Sequence, residues 1–158
     1  MTPAPRVSRA ARLLGYAGLL PQAAAAALAA VGRDRPGLHG EGQIAPILIA
    51  FVYGSLILSF LGGVWWGFAM RRSEGQAALA ALAVVPSLVA GAIVAYAFAF
   101  TETFWTLVLL GAAIALTLLV DRRLAATGEA PRDWMALRTP LSLGLGGLTI
   151  LTALLLLA

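Results

Sequence analysis

Ser59–Met70 reads "SFLGGVWWGFAM": paired glycines, paired tryptophans, then a third glycine, with no charge. In water, glycine inside a helix costs about 1 kcal/mol relative to alanine. Between helices in a lipid bilayer, small residues instead let two backbones approach closely. Ser55, Ser59, Gly63 and Gly67 stand four apart. At about 100° per residue they trace one drifting seam on a helix. The stretch is therefore expected to be a membrane helix that packs through this seam. On the same wheel Trp66 falls within the seam's arc and Trp65 outside it. Trp66 is expected to face the bundle. Trp65 is expected to face lipid or a flanking helix, as an interface anchor close to Arg71 and Arg72; the alternative is that both tryptophans are interface anchors.

The rest of the chain agrees with a membrane setting. Of 158 residues, 61% are hydrophobic and 11% charged, against about 25% charged in soluble domains. The fold class expected is all-α, an integral membrane bundle of five transmembrane helices. A basic segment 1–12 precedes a single domain, 13–158. A bilayer core takes about 20 apolar residues per helix, and five segments qualify: 13–31, 44–70, 76–98, 104–120 and 140–158. No span alternates polar and apolar as a membrane barrel requires.

All the positive charge is arginine. Arg6, Arg9, Arg12, Arg71, Arg72, Arg122, Arg123, Arg132 and Arg138 fall on one side of a five-span topology, and Arg33 and Arg35 on the other. The positive-inside rule then predicts a bacterial inner-membrane protein with N-terminus inside and C-terminus outside. This distribution explains the basic balance by topology, so no nucleic-acid partner is expected. Met1–Arg12 followed by an apolar run also resembles a secretory signal. The length of that run and Pro21 in its middle favour a retained helix.

Several chemistries are excluded. Without cysteine there are no disulfides, zinc–thiolate sites or iron–sulfur clusters. The single histidine, His39, lies in a Gly- and Pro-rich loop. No metal and no cofactor is expected. No Asp, Glu, Lys, Arg or His falls inside the five segments, whereas proton relays normally place one there. The polar resources at depth are Gln22 and the hydroxyls of Tyr16, Tyr53 and Tyr96. No catalytic set is visible, and an enzyme is not expected.

Two helices carry a proline followed by a polar residue, Pro21–Gln22 and Pro86–Ser87. Proline frees a carbonyl one turn earlier, and the polar neighbours could satisfy such groups. Interrupted helices in corresponding positions can mark a binding site, with kinked packing as the plainer alternative. In the fourth-to-fifth connection, Asp121 is expected to end helix four and to pair with Arg138 across the hairpin. Trp134, Met135 and Leu137 suggest a short segment lying in the interface, with Trp134 an anchor. Thr139–Pro140 then reads as the cap and first position of helix five.

"LGYAGLLP" (14–21), "YGSLILSFLGGVWWGFAM" (53–70), "VVPSLVAG" (84–91), Asp121 and "WMALRTPL" (134–141) resemble one family. It is the uncharacterised family of unknown function that includes transmembrane protein 69. The resemblance runs from about Arg12 to Leu157. It implies a small multi-helix membrane protein, in bacteria and in eukaryotic mitochondria, and no activity, substrate or cofactor. It also implies a retained tryptophan at Trp66 and a polar or basic residue where Trp65 stands, so Trp65 is a departure.

Two functional readings follow. In the first the protein is a binding or assembly partner of another membrane component, or of a second copy of itself, within the lipid bilayer. In the second it carries or senses a small apolar ligand or lipid in a pocket between helices two and three. The candidate pocket or seam residues are Ser59, Gly63, Trp66, Gly67, Pro86, Ser87 and Tyr96.

Overall fold

The computed structural model describes residues 6–33 and 41–157. Asp34, Arg35 and His39 lie outside the described residues. Among those described, all regular structure is helical: α1 (Arg9–Ala17), α2 (Leu20–Arg33), α3 (Glu41–Leu48), a π-helical turn (Ile49–Tyr53), α4 (Gly54–Ala69), α5 (Gln76–Phe100), α6 (Thr103–Leu116), α7 (Leu118–Ala126) and α8 (Trp134–Leu157). These join into five helices long and apolar enough to cross a membrane: Arg9–Gly32, Gln43–Ala69, Gln76–Phe100, Thr103–Ala126 and Trp134–Leu157.

The first two spans are irregular, and each break is closed by a side chain from another span. Span one is interrupted at Gly18–Leu19, just ahead of Pro21. The Gly18 carbonyl accepts a hydrogen bond from the Tyr53 hydroxyl at 2.7 Å. Span two contains Pro46 and then the π turn, a local widening of the helix. Gln22 Nε2 donates there to the Ala50 carbonyl at 3.1 Å, and to Thr149 Oγ1 at 2.6 Å. Gln22 thus serves the irregular backbone of span two rather than its own proline. Gln22 is fully buried. Ser87 is exposed, and α5 runs unbroken through Pro86. The two proline–polar pairs are therefore not equivalent.

Two glycine contacts fuse spans in pairs. A Cβ at Gly62 would run into the Ala83 carbonyl and lie 3.4 Å from Pro86. α4 and α5 meet at that point. Gly111 of α6 and Gly146 of α8 stand back to back, and a Cβ on Gly146 would be 2.5 Å from the Gly111 carbonyl. Close backbone approach of this kind holds helices together where lipid removes the hydrophobic incentive.

The seam of α4 is therefore not the expected one. Its buried residues are Gly54, Leu58, Leu61, Gly62, Trp65 and Ala69. A Cβ at Gly63 or Gly67 would meet nothing within 4 Å. Trp65 is 3% exposed and Trp66 46%, the reverse of the wheel assignment. Counting small residues picks the wrong face: Leu58, Leu61 and Trp65 turn inward, Gly62 makes the close approach to the α5 backbone, and Gly54 lies tight against Leu110 and Gln22.

The lower boundaries of spans four and five also move. Span four continues past Asp121 to Ala126, and α7 ends where Gly128, at φ 75°, turns the chain. The amides of Glu129 and Ala130 then both donate to the Leu124 carbonyl. Span five begins at Trp134, not at Pro140. The Trp134 amide donates to the Pro131 carbonyl at 2.9 Å, so the expected interfacial segment is this helix's first turn. Asp121 and Arg138 consequently lie inside the long apolar helices, contrary to the expectation that no charge does.

Ion pairs gather the arginine-rich segments at one end of the bundle. Arg12 bonds Asp133 at 2.9 Å, tying the N-terminal helix to the fourth-to-fifth connection. Arg72 meets Glu129 through two contacts of 2.5 Å, tying in the second-to-third connection.

Candidate functional site: a buried aspartate–arginine pair beside an apolar cleft

Thr117 and Asp121 are four residues apart on span four, and Trp134 and Arg138 four apart on span five. Residues four apart share a helix face. The two faces meet, and Trp65 reaches between them from α4. Asp121 is fully buried. Its Oδ2 accepts from Arg138 Nε at 2.8 Å. Its Oδ1 accepts from Trp65 Nε1 at 3.0 Å and from Trp134 Nε1 at 3.4 Å. Arg138 Nη2 reaches Thr117 Oγ1 at 3.5 Å, and that hydroxyl donates to the Ile114 carbonyl at 2.6 Å. The guanidinium carbon stands 5.8 Å from the Trp134 ring centre, within range of a cation–π attraction. Phe68 packs edge-on against the same ring.

A carboxylate moved out of water must recover its hydration through donors and an opposite charge. Asp121 does so with an arginine and two indole N–H groups. This explains why tryptophan, the donor-only aromatic, stands at 65 and turns inward. It also explains why span four can carry an acid at a buried position. Both carboxylate oxygens are engaged, so the group acts as an anchor between spans two, four and five. The Asp121–Arg138 pairing was expected from the sequence; its burial and its tryptophan donors were not.

Beside this cluster lies a cleft of about 720 Å³. Its walls come from α1 (Leu14), α4 (Ile57, Phe60 and Val64) and α8 (Leu141 and Leu145). At the arginine-rich end it is bordered by Arg71, Glu129, Trp134 and Arg138. It runs between spans one, two and five, not between two and three, where Gly62 and the Ala83 backbone already touch.

The expected pocket residues do not converge. Ser59 is half-buried, while Gly63, Trp66 and Gly67 point away from the bundle. Pro86 is buried against Gly62 and Ser87 is exposed. Tyr96 packs on Phe100 with ring centres 5.0 Å apart. None of these residues lines the cleft. Trp65 and Trp134, expected as interface anchors, are instead the indole donors to Asp121. Among the described residues no cluster of three His, Asp or Glu side chains could hold a metal.

The profile of a family described as "Protein of unknown function (DUF3429)" matches residues 7–155. No curated protein matches the chain, and no solved structure does.

Proposed function

We propose, from the premise that this chain belongs to the DUF3429 family of unknown function, that it is a non-enzymatic binding or assembly partner for another membrane component. One observation carries this reading. The Gly63–Gly67 end of the ladder is not used inside the bundle: both glycines face outward with open space beside them, flanked by exposed Leu56 and Trp66. Small residues four apart on an outward face suit close approach of a helix from another chain. The arginine-rich end is assigned to the cytoplasmic side of a bacterial inner membrane, with the C-terminus outside, by the positive-inside rule.

The chain has no cysteine, so single cysteines can map contacts directly. Gly63→Cys should cross-link in native membranes, and Leu88→Cys, on the exposed face of α5, should not. An adduct of twice 16.3 kDa identifies a second copy, and any other mass identifies a different partner. No adduct at Gly63, or equal adducts at both positions, would sink the reading. Reporter fusions after Gly75 and after Leu157 should report opposite sides of the membrane.

A further inference from the structure

We infer that the cleft between spans one, two and five is a binding site for one anionic membrane lipid, with an acyl chain against Leu14, Ile57, Val64 and Leu145 and its phosphate at Arg71 and Arg138. The site is separate from the outward ladder, since Val64 and Gly63 lie on different sectors of α4.

Volume comes first. About 720 Å³ lies within the range of roughly 300–1,000 Å³ typical of ligand pockets. The walls are apolar, and Phe60, 64% exposed, stands at the edge. A chain can therefore enter sideways from the bilayer. The charges at the rim supply the second argument. Glu129 is the acid at the rim, and it is already engaged by Arg72 and by Thr127 Oγ1. Arg71 has no ion pair or side-chain hydrogen bond among the described residues. Arg138 is 6% exposed, yet only Nε and Nη2 have partners. A guanidinium carries five N–H donors. Nη1 has no acceptor among the described residues and is not fully buried, so it keeps open surface in a residue that lines the cleft. A phosphate oxygen would satisfy it, and Arg71 would add charge from the rim. The apolar walls behind these two arginines favour a lipid over a free phosphate.

Native mass spectrometry of the full chain, extracted gently from vesicles of equal parts phosphatidylglycerol and phosphatidylcholine, tests the site. Wild type should retain one lipid, with phosphatidylglycerol in excess. Arg71→Gln, an exposed change that leaves the core intact, should lower that excess about fivefold, the value of one arginine near an anionic headgroup. Filling the cleft with Val64→Trp, or with the smaller Ile57→Phe, should remove either lipid. Leu88→Trp on the far face should change nothing. Inorganic phosphate should not displace the bound lipid. Equal retention of both lipids by wild type, an unchanged ratio in Arg71→Gln, retention by folded cleft-filling variants, or displacement by phosphate would each overturn the assignment.

Discussion

Asp121 sits where its charge depends wholly on its neighbours. Removing one partner of a buried ion pair typically costs about 3–5 kcal/mol, because the other charge is stranded. Asp121→Asn and Arg138→Gln should each lower thermal stability in detergent on that scale. Replacing both by apolar residues, Asp121→Leu with Arg138→Met, should cost less than the two single changes together. Additive losses would show that the charges do not act as a pair. The indole of Trp65 allows a finer test. Trp65→Phe keeps most of the ring and loses the N–H to Asp121, a loss of about 1–3 kcal/mol for an unsatisfied buried group. Trp66→Phe, on the exposed face, should stay within about 0.5 kcal/mol. Thermal melts of the two variants compare them, and a larger loss at Trp66 would contradict the inward turn of Trp65.

Helix α4 presents several faces: Gly62 and Ala69 face α5, Trp65 reaches Asp121 of span four, Val64 and Phe68 face the cleft, and Gly63 and Gly67 face outward. Adding one carbon at successive positions separates these roles. Gly62→Ala drives a Cβ into the Ala83 carbonyl and should destabilise by about 1–3 kcal/mol through overpacking. Gly63→Ala meets nothing within 4 Å and should be neutral or slightly stabilising, since alanine is the better helix former. Thermal melts of the two variants compare these effects, and an equal loss at both positions would count against the assigned face. The five spans were legible from hydropathy because membrane length and backbone satisfaction leave few alternatives. The buried face of α4 was not legible from its own residues. In lipid, apolar composition marks both inside and outside, so the wheel lacks the contrast that orients a soluble helix. The deciding signal lay elsewhere, in Asp121 and Arg138, each four residues from a polar or aromatic partner on its own helix. Those two spacings imply facing surfaces at depth, and a buried acid demands donors, which an indole on a neighbouring span can supply. The cleft depends on how spans one, two and five splay, and no local pattern encodes that.

At the scale of the molecule, the bundle is joined at one end by two ion pairs of different exposure and reach. Arg12–Asp133 leaves its side chains 47% and 33% exposed, while Arg72–Glu129 is closer and better shielded at 28% and 24%. Hydrogen bonds from Arg72, and then from the Thr127 hydroxyl, hold the Glu129 carboxyl below its ordinary value despite partial burial. The folded pKa is therefore lower than the unfolded one, about 4.3 for glutamate. A depressed carboxylate stabilises fully above the unfolded value, and that contribution is lost as pH falls through the folded value. Between neutral pH and about 5 the link between the second-to-third and fourth-to-fifth connections should thus be constant; below about 4.3 it should weaken progressively. Amide hydrogen exchange around Arg72 and Gly128, followed from pH 6 to pH 3 after correction for intrinsic rates, should show protection falling on the acid side. In Glu129→Gln, protection should already be lower at pH 6 and should lose that acid-dependent step. The effect should shrink in high salt, because the pair is open enough to be screened. An identical acid-dependent step in wild type and Glu129→Gln would mean that another group controls how this end of the bundle opens.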